Sequence, residues 1–402
     1  MKSFVLVGKS LRIALPVLQA IRSFSDGHCI IFGDEATCAL RLSRLCKQHN
    51  LIDLYGDDDE SFVAQINTLA KGECEPILIP FDCEGIRLVH RVRSQLNIKL
   101  TPIPDSTTLE MLDDKWSFHE FCARHLLLTP PTRFIGSKFD LNFEKIAAEF
   151  GLPFVLKPTN CSGSIGVQII AGEEQFEREI LHDESYVHGA LIVQKFIEGV
   201  DIGIDLLSIN GRLSALAVQQ PNRAHINFLA IEGMEEVAEK ICSASGYHGP
   251  MNIDARVEKE TGKVFFFESN PRFWATTAAS VYCGLNFVAK SVNPAATNEV
   301  LKLNAGACNT RHPLMVPSTW WGLMFDRGER GRLLRAKSFD LYTFGALIRE
   351  FPLMASRFTK RTMGEIITGA RGNKSRPQSQ RHGDSPSKAA PTEKIAGSKS
   401  LA

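Results

Sequence analysis

The chain predicts a mixed α/β and α+β architecture: an N-terminal layer with a parallel sheet, a second domain built on antiparallel hairpins, and a C-terminal extension. Three observations carry this. Short apolar runs alternate with helical patterns over the first hundred residues, the signature of a small parallel sheet covered by helices. Further on, strands follow one another through Gly-bearing turns, as hairpins do. From Arg371 the chain becomes rich in Ser, Pro, Lys and Gln with almost no large apolar residue, the composition of a disordered tail. These shifts place domain boundaries at 1–105, 106–300, 301–370 and 371–402.

With 402 residues, 44% of them hydrophobic, and a net charge of +1, the chain can bury a large core and gives no case for nucleic acid as a main partner. Ten cysteines lack a C-x-x-C pair or regular spacing, which favours buried reduced thiols over a disulfide framework or a zinc site and points to the cytoplasm. Lys9 and Arg12 interrupt the N-terminal apolar run, so it reads as a strand and helix and not as a signal peptide. No apolar run reaches eighteen residues, so no transmembrane segment is expected.

In order, Ser3 to Val7 is a strand ending at Gly8, Leu11 to Ser23 a helix and His28 to Phe32 a second strand. Leu40 to His49 reads as a helix, and Pro76 to Pro80 as a buried strand followed by a helix to about Leu96. The first strand is not followed by G-x-G-x-x-G, so a dinucleotide site is not supported. Thr101 to Pro104 is a linker, Asp114 to Cys122 a helix, and Leu141 to Phe150 another, closed by Gly151. Strand Leu152 to Lys157 ends at Pro158.

The loop Thr159 to Gly166 consists largely of small residues and precedes a strand from Val167 to Ala171. Small residues let backbone N–H groups approach an anion, and Lys157 adds a positive charge; alone, such a loop serves equally as a hairpin tip. Ala190 to Ile197 is an apolar strand interrupted by Gln194 and Lys195, leading through Glu198 to Asp201 into a strand over Ile202 to Ile209. A hinge of this kind can offer backbone groups to a flat base. Leu213 to Gln219 is the next strand and Glu232 to Ser245 a helix.

The stretch Met251 to Arg272 reads as a hairpin turning at Glu260-Thr261-Gly262, which sets Asp254 opposite Glu268. Like charges opposite each other destabilise a hairpin, and a cation between them removes the repulsion. Oxygen ligands without Cys or His suit Mg²⁺. The bland alternative, an exposed hairpin with a surface acid on each strand, is equally compatible with this stretch alone.

Lys157 with its Gly/Ser loop, the QKFIEG hinge and the D-x13-E-x-N-P-R ending occur in one order over about 160 residues. This ordered set resembles the ATP-grasp superfamily, nearer its carbamoyl phosphate synthetase and biotin carboxylase branch. The resemblance implies an ATP-grasp fold over roughly Ser106 to Asn286 and an ATP-dependent ligase that activates a carboxylate as an acyl phosphate for attack by an amine or similar nucleophile, without naming either substrate. It implies Mg-ATP, with one or two ions and Mn as a substitute, small-molecule carboxylate and amine substrates, and room for a homodimer.

Carried over by motif, Lys115 and Lys157 hold the phosphates, and Ser162, Gly163, Ser164 and Gly166 form the lid. Gln194, Lys195 and Ile197 match the adenine hinge, and Asp201 the ribose position. Asp254, Glu268 and Asn270 match the metal ligands, and Arg272, with Asn270 and Lys157, the catalytic residues. Gln194 stands where many relatives carry Glu. Asn252 stands where the D-alanyl-D-alanine ligase branch has a catalytic Arg, so that branch's chemistry does not transfer. A scaffold that binds ATP without turnover is the alternative; a bicarbonate-using carboxylase has less support.

Arg223 is a further candidate for the same site, weighed against a surface arginine. Cys161 reads as a tolerated small residue, and His119, His188 and His225 have no metal-ligand spacing. Trp320-Trp321 beside Arg327, Arg330, Arg332, Arg335 and Lys337 reads first as an appended helical face, and second as a site for a protein partner or membrane surface.

Overall fold

The computed structural model describes residues 2–56, 58–72, 75–161, 163–294 and 299–345. The expected disordered tail and the end of the extension lie outside the described residues.

Strands β1 (Ser3–Val7), β2 (His28–Gly33), β3 (Gln48–Leu51), β4 (Pro76–Pro80) and β5 (Lys99–Leu100) form an all-parallel sheet in the order β3-β2-β1-β4-β5. Helices α1 (Leu11–Phe24), α2 (Asp59–Ala70) and α3 (Cys83–Val92) connect it. The helix expected over Leu40 to His49 is not there. Glu35–Leu42 is a 3₁₀ turn capped by the Asp34 side chain, and Gln48–Leu51 is the edge strand. Local pattern loses to tertiary demand at this point. Asp340 accepts from the Ser43 hydroxyl at 2.7 Å and the Arg44 N–H at 2.8 Å, fixing the exit of the turn, and β2 takes the following residues as its partner.

Helices α4 (Ser106–Asp113) and α5 (Lys115–Arg124) each start at an aspartate N-cap, Asp105 and Asp114, whose carboxylates accept from Thr108 N and Ser117 N. A four-stranded antiparallel sheet follows in the order β6-β9-β7-β8, from β6 (Thr132–Ile135), β7 (Phe154–Pro158), β8 (Gln168–Ile170) and β9 (Leu191–Lys195). It is packed by α6 (Phe143–Phe150) and α7 (Glu173–Phe176) through a core that includes Phe154, Ile146 and Phe176.

The larger sheet contains β10 (Gly199–Ile209), β11 (Arg212–Asn222) and β12 (His225–Leu229), then, after α8 (Met234–Ser245), β13 (Gly249–Glu258) and β14 (Val264–Asn270). Its order is β14-β13-β10-β11-β12-β16, with β15 (Leu301–Leu303) beside β11 and β16 (Ala305–Asn309) at the edge. Strand alternation assigns its faces. Ile202, Ile204, Leu206, Met251, Ile253 and Val218 are buried against α4, α5 and α8. The intervening residues point the other way.

Helices α9 (Thr277–Tyr282) and α10 (Phe287–Val292) return the chain to the first sheet, where Phe273, Ala278 and Val288 share a core with Ile13, Val17 and Phe81. Leu333 of α12 (Glu329–Ser338), which follows α11 (Pro317–Phe325), joins that core. The basic run of the extension is largely turned onto the protein. Arg330 lies 4.3 Å from the Tyr282 ring centroid, Arg332 pairs with Asp26, and Arg335 donates to the carbonyls of Leu323 and Asp326. No described helix is long and apolar enough to cross a membrane.

Candidate active site

The second face of the large sheet, the inner face of the four-stranded sheet and the start of α1 enclose a cavity of about 830 Å³. The pleat decides what enters it. Asp201 and Gly203 on β10, Asn252, Asp254 and Arg256 on β13, and Gln219 on β11 alternate with the apolar set and line the cavity.

The hairpin has the expected register, with Asp254 opposite Glu268 and Asn252 opposite Asn270, and a bulge after Asp254. Gly262 turns it with a φ of 70°. Asn270 Nδ2 donates to Asp254 Oδ2 at 3.2 Å. Burial and the Glu268 charge push Asp254 up to about 7. Glu268 is lowered: burial opposes this, but Lys115 and Lys157 outweigh it. Asp254 is therefore the member of the pair that takes up a proton first as the pH falls, and a divalent cation between the two carboxyls would oppose that uptake. Two carboxylates fit a hard cation that completes its shell with phosphate and water, and Asn270, whose Nδ2 faces Asp254 and whose Oδ1 accepts from Arg272, would add its oxygen once the amide turns over. They are too few for an all-protein cage, and among the described residues no cluster of three His, Cys, Asp or Glu forms one.

Lys115, first residue of α5, reaches Glu268 at 3.2 Å and also donates to the carbonyl of Cys161. Lys157, at the end of β7, is buried, with Nζ 3.5 Å from the carbonyl of Phe267. Burial lowers Lys157 to about 8, with Glu268 working against the shift and Lys115 adding to it. Two buried ammonium groups share one nearby carboxylate. Bound phosphate would supply the missing anion. Arg272 is held by its own strand end, donating to Asn270 Oδ1 at 2.7 Å and to the Phe273 carbonyl at 2.8 Å, and it lines the cavity.

Gly163, Ser164 and Gly166 all have left-handed backbone, with φ of 69°, 64° and 71°. Ser162 lies outside the described residues. At Gly166 a Cβ would come within 2.5 Å of His188 Nε2, and the Gly166 carbonyl accepts from Tyr186 Oη at 2.8 Å. These two aromatic residues, unassigned from the sequence, seat the base of the loop. Cys161 Sγ is 3.9 Å from His188 Nδ1.

At the hinge, Gln194 Nε2 donates to Thr132 Oγ1 at 2.9 Å, and the Thr132 hydroxyl donates to the Pro130 carbonyl at 2.7 Å. The threonine proton is spent on Pro130, so Gln194 must present its N–H₂ to Thr132 and its carbonyl oxygen elsewhere. That leaves an acceptor, as an adenine amino group requires. Lys195 is exposed while Ile197 is buried, and both line the cavity. Asp201 is paired with Arg256 at 2.6 Å, and Arg256 lies 5.4 Å from the ring centroids of both Phe196 and Phe267. Arg256 was not legible in the motifs. Its role follows from a cross-strand pairing with β10.

Arg223 is exposed on the β11–β12 turn and does not line the cavity, in keeping with the surface arginine weighed against a site role. Arg12 does line it. It projects from the first turn of α1, and its Nη1 would be 3.8 Å from a Cβ on Gly163, so the first domain reaches the Gly/Ser loop. Nothing in the local sequence marks it.

Residues 188–311 match a family model described as ATP-grasp in the biosynthetic pathway with Ter operon, and residues 133–232 match the D-ala D-ala ligase C-terminus. The chain is 23% identical over 180 residues to the carbamoyl phosphate synthase arginine-specific large chain of Bacillus subtilis, covering 41% of this chain and 17% of that protein. It is 26% identical over 227 residues to a formate-dependent phosphoribosylglycinamide formyltransferase of Actinobacillus pleuropneumoniae, covering 52% and 56%. The matched segments therefore span well under two thirds of these relatives. Among solved structures, the biotin carboxylase domain of Hydrogenobacter thermophilus 2-oxoglutarate carboxylase, solved with MgADP and bicarbonate, superposes with a TM-score of 0.57 at 19% identity, covering 76% of this chain and 71% of that one.

Proposed function

We propose that this chain, a member of the ATP-grasp superfamily, is an ATP-dependent ligase that activates a carboxylate as an acyl phosphate for attack by an amine. One observation carries the reading: the cross-strand carboxyl pair Asp254 and Glu268 lines one cavity with two buried lysines and Arg272. Simple nucleotide binding does not require that arginine.

In this reading the hinge at Gln194 to Ile197 receives the adenine, and Asp201 the ribose. Lys115 and Lys157 offset phosphate charge, and the loop over Gly163 to Gly166 excludes water. Asp254, Glu268 and Asn270 would hold Mg²⁺, which when bound supplies neutralisation of phosphate charge. Arg272 presents a planar fork to the oxygens of the phosphoryl group in flight. A carboxylate oxygen attacks the γ-phosphorus, the bond to the β-bridging oxygen breaks, and ADP leaves. Positioning and charge neutralisation are the main demands of such a transfer.

The substrates of the relatives above differ from one another, so their identity does not pass to this chain. The test is ADP release from Mg-ATP with pooled carboxylates, with and without pooled amino acids. Stimulation by carboxylate and amine together supports ligation. Tight ATP binding without stimulation by any pool supports the scaffold reading instead.

A further inference from the structure

Arg256 faces Asp201 directly across the β10–β13 pair, two residues beyond Asp254 and on the same face of β13. Its Nε donates to Asp201 Oδ1 at 2.6 Å and its Nη1 to the Ile197 carbonyl at 2.8 Å. The ring centroids of Phe196 and Phe267 each lie 5.4 Å from the guanidinium carbon, within reach of cation–π attraction. All five residues line the cavity. Phe267 is there because of the bulge: Asp254 pairs with Glu268 and Ala255 with Phe266, so Phe267 is the extra residue of β14 and shares the cavity wall with its neighbour Glu268. Bulges re-aim side chains, and this one brings a ring to the arginine.

An ordinary cross-strand ion pair at the surface, with both ends in water, is the competing reading. The two ends differ too much for that. The Arg256 side chain is 20% exposed and the Asp201 side chain 68%, and the second arm of the guanidinium is spent on the hinge carbonyl. Two acceptors and two rings thus hold the cation, while Arg256 alone holds the carboxylate. Among the described residues, Oδ1 is the one engaged oxygen of that carboxylate. Oδ2 keeps its lone pairs on the cavity side of the hinge.

We infer that Arg256 is a positioning residue for the nucleotide sugar: it aims Asp201 so that Oδ2 accepts from a ribose hydroxyl, and it thereby sets a preference for ribonucleotides over deoxyribonucleotides. The inference rests on the ATP-site reading above. An exposed carboxylate left to itself samples several rotamers, and ordering it on binding costs affinity. Tied to Nε, it is ordered before the nucleotide arrives. The planar fork is needed because it reaches the carboxylate and the Ile197 carbonyl at once and lies against rings, which one ammonium cannot do. Asp254 and Arg256, about 7 Å apart along one strand, then face the metal-bearing and sugar ends of a single nucleotide.

Calorimetry on the full chain with Mg²⁺ compares ADP with 2′-deoxy-ADP and 3′-deoxy-ADP. The wild type binds ADP about tenfold more tightly than at least one deoxy form, the order of one hydrogen bond to a charged acceptor. In Arg256→Met, which keeps an apolar stem between the rings, ADP weakens about tenfold and the preference falls to within twofold. Arg256→Lys keeps the pair with Asp201 without the second arm and shows an intermediate preference. Asp201→Ala loses the preference as well, and adding Arg256→Met to it removes nothing more, because both act through one contact. Circular dichroism reports the folding of each variant, and the lysine variant carries the comparison if the methionine variant does not fold. Equal weakening of all three nucleotides in the Arg256 variants, or no preference in the wild type, overturns the inference and leaves the ATP-site reading standing. No binding of Mg-ADP by the wild type overturns that reading and the inference with it.

Discussion

Glu268→Gln keeps the shape of the hairpin and removes one charge from the centre of the site. Glu268 Oε2 lies 3.2 Å from Lys115 Nζ, an attraction of roughly 5 kcal/mol at an effective dielectric of about 20, much of it offset by desolvation. Lys157 loses the carboxylate that holds its pKa up, so it drops below about 8 and gives up part of its charge at pH 7. Asp254 loses the neighbour that raises it. The apo protein therefore keeps its fold, because the amide can still accept from Lys115, but the cation loses an anionic ligand and the phosphates lose positive charge. Nucleotide-dependent turnover falls by about 10² or more, as when one preorganised electrostatic group worth ~3 kcal/mol is removed. ADP release across a Mg²⁺ titration, with circular dichroism as the folding control, reads this out. Turnover within threefold of wild type at every Mg²⁺ concentration refutes the reasoning.

Arg272→Ala lowers ADP release by about 10² to 10³, and Arg272→Lys recovers only part of it because an ammonium lacks the planar fork; single-turnover kinetics on both variants checks this. Gly166→Ala puts a methyl against His188 at a φ of 71°, so ATP binds about tenfold more weakly in calorimetry while the unfolding midpoint moves little. Asp254 must be deprotonated to hold a cation, and its pKa lies near 7. Mg-dependent nucleotide affinity is therefore full above that pH and weakens as pH falls from 8 to 6, by at most about tenfold per unit, with proton release on binding measured in two buffers. Arg12→Ala removes a cation beside the Gly163 loop and raises KM for ATP more than for the carboxylate, which steady-state titration of each substrate separates.

The hairpin was legible because its information is local: alternation, a turn glycine and a fixed separation set Asp254 opposite Glu268. The Gly/Ser loop and the hinge stand in the sequence as an ordered set of motifs, and the structure places both on the cavity wall. The segment after Leu40 was misread because its shape is decided by β2 and Asp340, the latter about three hundred residues away in sequence. Arg256, Arg12 and Gln219 are ordinary residues in ordinary strands and helices. Only cross-strand register and the seating of α1 on Phe273 bring them to one cavity. Their chemistry is non-local, so no spacing in the sequence announces it.

The central claim is that the γ-phosphoryl group goes to a carboxylate and not to water. The direct measurement is turnover in ¹⁸O-enriched water with Mg-ATP, pooled carboxylates and amines, followed by mass analysis of the released phosphate. Ligation through an acyl phosphate predicts phosphate that carries no oxygen from the solvent, its fourth oxygen coming from the carboxylate. Phosphate containing one solvent ¹⁸O, formed at the same rate with or without the carboxylate pool, contradicts the account.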